Sequence, residues 1–378
     1  MEAEAFLIKP ASGLCNMRCS YCFYADVSDS REVKDRGMMS VETAECLIKK
    51  AFSEVTGFCS FAFQGGEPML AGLAFFAEFT ALVKKHNTKN IPVSYALQTN
   101  GLLIDEKWAD FFRENGFLIG LSIDAGKEIH DSLRLDASQK GTHRKCMEAV
   151  RILKRKKVEF NILSVITRQL AREPKAVWQF FKKEKFGFLQ CIPCLDGLGE
   201  TRGGNMYSLD AALYGSFLCD IFDLWYEDFV RGNYISVRNF DNYIRMLMGA
   251  LPENCAMSGE CKAYALIEAD GTVYPCDFYA LDEYCLGNIK EKSLEEMLRG
   301  ENARAFVRPS KQKPPECEAC WAFFLCRGGC RRDREPMVGK ELSRNYYCDA
   351  YKRFFHHALP RMREVARTVQ ASAPKSAL

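Results

Sequence analysis

At 378 residues the chain is longer than one hydrophobic core usually serves, since single cores divide beyond about 250–300 residues. It is 48% hydrophobic, 27% charged and 12% aromatic, with a net charge of +3, which suits a globular protein and lacks the basic footprint of phosphate-backbone binding. No window has the roughly 18 uninterrupted apolar residues of a membrane helix, and the acidic start, Met1-Glu2-Ala3-Glu4-Ala5, is no secretory signal. A cytoplasmic protein with no nucleic-acid or membrane partner is therefore expected.

Eighteen cysteines stand against five histidines. A secreted disulfide protein with that many cysteines would normally be smaller and carry a signal, so metal binding or redox chemistry is the better expectation. Three cysteines lie near the start, eight in the last third, and seven (Cys46, Cys59, Cys146, Cys191, Cys194, Cys219, Cys285) in apolar segments.

Along the chain, apolar strand-like runs alternate with helical patterns. The strands are expected at Phe6–Pro10, Ser60–Gln64, Val93–Gln98, Phe117–Ile123, Val158–Ile166 and Gly187–Ile192. The helices are expected at Val41–Val55 behind the cap Ser40, Leu73–Lys85, Glu106–Glu114, Thr142–Lys156 and Pro174–Lys183. Six such alternations imply a parallel sheet. A partial (β/α)6 barrel fits better than the eight units of a complete barrel, while an open doubly wound sheet stays open on these grounds. An amphipathic helix over Leu209–Val230 resembles a bridge to a second domain. Ala263–Ala269 and Thr272–Pro275 flank the hairpin signal Asp270-Gly271. Beyond Asp277, short helices and loops with little aliphatic core are expected, a region needing metal staples. The expected divisions are residues 1–235, 236–370 and a disordered tail, 371–378.

Cys15, Cys19 and Cys22 form C-x3-C-x2-C on the loop after the first strand. Three thiolates are one short of the four that hold a 4Fe–4S cluster, which leaves one iron open for chemistry. Zinc is the alternative, but no further His or Cys follows until Cys46. Cys261 and Cys276, then Cys317-x2-Cys320-x5-Cys326-x3-Cys330, then Cys348, make a longer pattern. With Cys255 it supplies enough thiolates to close two clusters, or a pair of zinc sites.

Cys15, Cys19 and Cys22, with Tyr21 before the last, resemble the signature of radical S-adenosylmethionine (SAM) enzymes. Gly65-Gly66-Glu67-Pro68 after the second strand resembles their motif for the methionine amino group. The later pattern resembles the SPASM domain, whose two auxiliary clusters would be held by Cys255, Cys261, Cys276 and Cys330, and by Cys317, Cys320, Cys326 and Cys348. Further segments, among them Gln98-Thr99-Asn100-Gly101, Tyr274-Pro275-Cys276-Asp277-Phe278-Tyr279 and Asn345-Tyr346-Tyr347-Cys348, are similar to those of anaerobic sulfatase-maturating enzymes. That family oxidises a Cys or Ser of a nascent sulfatase to Cα-formylglycine.

The resemblance implies SAM and three 4Fe–4S clusters as cofactors, one binding SAM and two auxiliary. It implies an unfolded sulfatase peptide with a Cys/Ser-x-Pro/Ala-x-Arg motif as substrate. A flavodoxin- or ferredoxin-type protein would be the reductant. SAM would be held by Tyr21, Gly65, Gly66, Glu67, Ser122, Arg134 and Leu195; Tyr24 and Gln64 would lie near the peptide. Asp277 would be the general base, taking a proton as the neighbouring cluster takes an electron. After Leu121-Ser122-Ile123-Asp124 many relatives continue Gly-Pro, whereas Ala125-Gly126 follows here. Another SPASM-type peptide maturase, making thioether or carbon–carbon crosslinks or epimers, is the competing reading. Many of those carry an amino-terminal leader-binding domain, for which a first strand at Phe6 leaves no room. Cys191 and Cys194, in C-x2-C, are expected to be buried free thiols, as are the other five of the seven.

Overall fold

A computed structural model describes residues 1–335, 337–338 and 341–372. It divides into two compact units: residues 1–123, 130–162 and 262–307 form the first, and residues 124–129, 163–261 and 308–378 the second.

In the first unit the expected alternation is present: β1 (Ala3–Ile8), α1 (Phe23–Asp29), α2 (Val41–Glu54), β2 (Phe58–Phe63), α3 (Leu73–His86), β3 (Val93–Thr99), α4 (Glu106–Glu114) and β4 (Phe117–Ser122). Ser40 caps α2 by accepting the Thr43 N–H, as its position suggests. β1 starts three residues earlier than expected because Ala3, Glu4 and Ala5 pair with Phe58, Cys59 and Ser60 of β2. The pairs β1–β2, β2–β3 and β3–β4 are all parallel. Phe61, Phe63, Phe76, Phe79, Phe112 and Phe117 are buried between strands and helices, with ring centroids of Phe63 and Phe79 5.0 Å apart.

Next come α5 (Lys127–Leu133), α6 (His143–Lys156) and β5 (Phe160–Ile166). β5 begins after Val158 because that residue closes the cap that follows α6. Lys157 takes a left-handed conformation (φ 56°) and the Val158 N–H closes back on the Leu153 carbonyl at 3.0 Å. α7 (Arg168–Ala171), α8 (Pro174–Lys183) and β6 (Phe188–Pro193) follow, then α9 (Ala211–Val230), β7 (Ser236–Val237) and α10 (Arg238–Leu247).

The Asp270-Gly271 hairpin forms as expected, with β8 (Ala265–Ile267) antiparallel to β9 (Thr272–Tyr274) and Gly271 at φ +92°. β8 also pairs in parallel with β1, Phe6 facing Ala265, so the hairpin joins the sheet of the first unit beside the first cysteine loop. β10 (Gly287–Asn288) closes that edge, giving the order β10-β9-β8-β1-β2-β3-β4.

One expectation is corrected in the last third. The chain there is not only short helices and loops. After α11 (Leu294–Arg299), α12 (Glu301–Lys311), α13 (Pro315–Glu318), α14 (Phe323–Cys326) and the short strands β11 (Met337–Val338) and β12 (Glu341–Leu342), α15 runs for 25 residues, Cys348–Ser372. α15 packs on α9 through an aromatic seam in which Tyr214 meets Tyr351 at 6.0 Å and Phe222 meets Phe354 at 5.8 Å. Gly215 lets the two backbones close in, since a Cβ there would sit 3.0 Å from the Ala350 Cα. The second unit thus has an aliphatic and aromatic core of its own. Ala371 and Ser372 belong to α15, and the rest of the expected tail, 373–378, lies outside the described residues.

Candidate active site

Asp277 directly follows Cys276, just past β9. Its carboxylate is held from three directions within the first unit. Tyr264 Oη donates to Oδ1 at 2.5 Å, Tyr24 Oη to Oδ2 at 3.2 Å, and Gln64 Nε2 to Oδ2 at 3.0 Å. Gln64 Nε2 also donates to Tyr24 Oη at 2.6 Å, so the amide fixes the phenol that in turn addresses the acid. Burial, reinforced by the Asp277 charge, pushes both phenols far above their ordinary pKa, which keeps them hydrogen-bond donors. Each donor is placed by an element end: Gln64 follows β2, Tyr24 lies in the first turn of α1, and Tyr264 precedes β8. The Phe23 and Phe278 rings, 4.8 Å apart, pack the start of α1 against the segment after Asp277. Behind Tyr24 lies Lys9 Nζ, 5.4 Å from the ring centroid. That ammonium and Arg31 share one oxygen of Glu268, each at 2.6 Å, in a fully buried triad.

The first cysteine loop lies in the same unit. Cys15, Cys19 and Cys22 form no disulfide, and Cys19 and Cys22 are close enough to act electrostatically on Cys15. Burial pushes the Cys15 thiol up to about 11, so iron ligation is what would make it a thiolate. Two donors already face that sulfur, the Met17 N–H at 3.3 Å and Asn100 Nδ2 at 3.8 Å. The donor set fits a three-thiolate cluster with second-sphere hydrogen bonds.

Gly65-Gly66-Glu67-Pro68 forms a tight turn next to this loop. A Cβ on Gly66 would collide with the Leu14 carbonyl at 2.0 Å, so only glycine lets the two backbones meet. Glu67 is buried and spends its carboxylate on the turn. It accepts from the Met69 N–H at 3.1 Å, Thr99 Oγ1 at 2.8 Å and the Asn100 N–H at 2.8 Å, and burial lifts its pKa to about 7. The turn's backbone is tied to the cysteine loop, the Gly66 N–H donating to the Ser12 carbonyl at 3.1 Å and the Glu67 N–H to the Leu14 carbonyl at 2.7 Å, with the buried Glu67 side chain as its brace. Arg134 Nη1 donates to Tyr21 Oη at 2.8 Å, joining two of the expected SAM residues, and Ser122 ends β4. Leu195 lies in the second unit, after β6.

In the second unit Cys317, Cys320, Cys326 and Cys348 form no disulfide and are near enough to act electrostatically on one another. The same holds of Cys255, Cys261 and Cys330, with Cys330 pushed far above its ordinary pKa chiefly by burial. Cys276 lies in the first unit. Four soft donors gathered without disulfides are the ligand chemistry of an iron–sulfur cluster. Cys59, Cys146, Cys191, Cys194 and Cys219 are buried and form no disulfide, Cys146 donating to the Asn100 carbonyl at 3.2 Å, while Cys46 and Cys285 are half-buried and donate to the Ile289 and Gly287 carbonyls.

The sequence pattern of the radical SAM superfamily matches residues 10–174, and that of the SPASM iron-sulfur cluster-binding domain matches residues 258–321. The chain is 46% identical to a cysteine-type anaerobic sulfatase-maturating enzyme of Clostridium novyi (strain NT), over 98% of this chain and 99% of that one. This chain belongs to the anaerobic sulfatase-maturating enzymes. A serine-type anaerobic sulfatase-maturating enzyme of Bacteroides thetaiotaomicron is 31% identical, over 94% of this chain and 89% of its own length. A solved structure of native anSMEcpe with bound AdoMet and Cp18Cys peptide superposes with a TM-score of 0.93 at 45% identity, covering 97% of this chain and 99% of that one. Streptococcus suis SuiB bound to its precursor peptide SuiA shares the fold alone, with a TM-score of 0.63 at 17% identity, over 92% of this chain and 76% of that one. The chain is accordingly a radical SAM enzyme built as a partial (β/α)6 barrel with a SPASM domain. Its cofactors are SAM and three 4Fe–4S clusters, one binding SAM and two auxiliary.

Sequence reasoning did not single out Tyr264. The signal was present in the hairpin register: Leu266 faces Tyr274, so continuing the antiparallel ladder sets Tyr264 opposite Cys276, beside Asp277. The Tyr264 N–H donates to the Pro275 carbonyl at 3.1 Å, which holds that register. Lys9, Arg31 and Glu268 also went unassigned, because residues far apart in sequence meet there only once β1 and β8 pair.

Proposed function

We propose that the chain converts a cysteine in an unfolded sulfatase peptide, within a Cys-x-Pro-x-Arg core, to Cα-formylglycine, with Asp277 as the general base. The observation that carries this is the carboxylate aimed by Tyr264, Tyr24 and Gln64 while its Oδ1 lies 3.7 Å from the sulfur of Cys276. When bound, SAM on its cluster supplies the 5′-deoxyadenosyl radical that removes a Cβ hydrogen, and the auxiliary clusters accept the electron released. Loss of that electron and of the thiol proton leaves a thioaldehyde, which water hydrolyses to the aldehyde with release of sulfide. Asp277 takes the thiol proton. Tyr24 and Gln64 orient both the acid and the substrate side chain beside it.

The cluster that binds SAM is assigned to Cys15, Cys19 and Cys22. One auxiliary cluster is assigned to Cys255, Cys261, Cys276 and Cys330, and the other to Cys317, Cys320, Cys326 and Cys348. Tyr21, Gly65, Gly66, Glu67, Ser122, Arg134 and Leu195 are assigned to SAM. The domain assignment is 1–235 for the barrel and 236–370 for the SPASM region, each containing one matched pattern. The reductant is assigned to a flavodoxin or ferredoxin and the setting to the cytoplasm. Among the described residues no helix is long and apolar enough to cross a membrane. Identity of 46% to cysteine-type enzymes against 31% to a serine-type one favours cysteine as the substrate residue.

Anaerobic incubation with SAM, reductant and matched Cys and Ser peptides tests this reading. The Cys peptide should lose sulfide and gain a carbonyl oxygen, faster than the Ser peptide loses two hydrogens. Formation of 5′-deoxyadenosine with no aldehyde in either peptide would contradict it. Iron analysis tests the ligand assignment: about twelve irons per chain are expected from three four-iron clusters. Roughly four would leave the later cysteines without clusters.

A further inference from the structure

Cys330 is followed by Arg331, Arg332, Asp333 and Arg334, all buried. Charged side chains at that depth normally pair with an opposite charge. Arg331 does, with Glu335 Oε1 3.2 Å from its Nε. Arg334 does not. It is 1% exposed, and its hydrogen bonds run to neutral carbonyls: Nη1 to Ser310 at 3.1 Å, Nε to Ser343 at 3.4 Å and Nη2 to Gln312. Among the described residues no carboxylate forms an ion pair with it.

Those carbonyls belong to segments that carry cysteines. Ser310 also accepts the Cys261 N–H on its Oγ at 2.8 Å, Gln312 stands five residues before Cys317, and Ser343 five before Cys348. Burial pulls the Arg334 pKa down, and the cysteines whose charge, once ionised, opposes that shift are Cys317, Cys261, Cys330 and Cys326. Two of these belong to each auxiliary set assigned above. Iron-ligated thiolates of both sets would supply the anion this guanidinium lacks among the carboxylates.

We propose that Arg334 is an electrostatic positioning residue for both auxiliary clusters, its fixed charge favouring their reduced forms and so their uptake of the electron released from substrate. A four-iron cluster closed by four thiolates carries net negative charge, and reduction adds one more. A buried, immobile cation nearby stabilises the more negative state and raises the potential, for which net charge and hydrogen bonding are the protein's levers. Carbonyls grip the guanidinium on its donor edges, so its charge is held in place without being neutralised. This inference rests on the ligand assignment above.

The test is an anaerobic potentiometric titration of the reconstituted full chain, followed by the paramagnetic signal of the reduced auxiliary clusters. It is run in a Cys15→Ala, Cys19→Ala, Cys22→Ala background, so that only those clusters report. At the wild-type midpoint, Arg334→Gln with full iron content should show a reduced-to-oxidised ratio about tenfold lower, equivalent to about 59 mV for a one-electron couple. Arg334→Lys, which keeps the charge, should hold most of the wild-type ratio. An unchanged ratio in Arg334→Gln at full iron content overturns the proposal. Should Arg334→Gln lose iron, Arg334→Lys decides: a wild-type ratio supports the proposal and a lowered one overturns it. Iron near eight per chain in this background upholds the ligand assignment separately, since two four-iron clusters remain. Little or no iron fails the assignment and leaves the potential question apart.

Discussion

Tyr264 and Asp277 hold each other twice: the phenol donates to Asp277 Oδ1 at 2.5 Å and accepts the Asp277 backbone N–H at 2.9 Å. The pair fixes both the main chain and the carboxylate of the residue that follows Cys276. Tyr264→Phe removes an interaction with a charged group worth about 1.5–3 kcal/mol, a ten- to hundredfold effect on rate. Aldehyde formation should fall by that factor while 5′-deoxyadenosine formation continues, measured side by side by chromatography. Equal loss of both products would place Tyr264 in SAM binding instead.

Asp277→Asn keeps the size and most of the hydrogen bonding of the side chain while removing the base. SAM cleavage should persist, and aldehyde formation should drop about 10²-fold or more, the usual range for a general base. Full aldehyde yield in this variant would remove Asp277 from the proton-transfer step.

Glu268 balances two buried cations through a single oxygen, with Lys9 and Arg31 each 2.6 Å away and all three side chains at most 1% exposed. Its other oxygen has no hydrogen-bond partner among the described residues. Glu268→Gln strands both cations and should destabilise the protein by about 3–5 kcal/mol. A denaturant midpoint close to wild type would show that the triad contributes little.

His130 is buried, with Nε2 3.0 Å from Thr142 Oγ1, and its pKa is depressed to about 2 by burial first, then by Arg134 and His143. The folded state therefore keeps the ring neutral, while the unfolded chain protonates it below an ordinary value near 6.5. The stability this contributes is present above that value and is lost as pH falls toward the folded pKa. The loss is about 1.4 kcal/mol for each unit below 6.5. The thermal midpoint of the wild type should exceed that of His130→Gln at pH 7.5, and the gap should narrow by pH 5.5. A gap constant with pH would show that His130 titrates alike in both states.

Much of this was legible because the chemistry is written in local spacing. Cys15, Cys19 and Cys22, Gly65-Gly66-Glu67-Pro68 and Asp270-Gly271 carry their own geometry, and the strand and helix cores of the barrel follow simple periodicity. What was not legible depends on pairing between distant segments. Tyr264 reaches Asp277 only through the hairpin register, and Glu268 meets Lys9 and Arg31 only through β8 beside β1. α15 escaped notice for two reasons. It opens on Cys348, which the sequence reading assigns to a cluster and so to a loop, and it contains Pro360, which usually marks a helix end. Packing on α9 overrides that signal.

The role of Glu67 was legible only in part. The motif pointed to the methionine amino group, but the side chain is committed to Met69, Thr99 and Asn100. What the side chain does in the structure is hold the shape of the turn.

The central claim is that this chain removes a hydrogen from the Cβ of a peptide cysteine and turns that carbon into an aldehyde. The most direct measurement uses a Cys-x-Pro-x-Arg peptide deuterated at the cysteine Cβ, with SAM and reductant under anaerobic conditions. Mass spectrometry should find one deuterium in 5′-deoxyadenosine and one in the aldehyde, with the two products in equal amounts. Aldehyde formed alongside unlabelled 5′-deoxyadenosine would contradict the account.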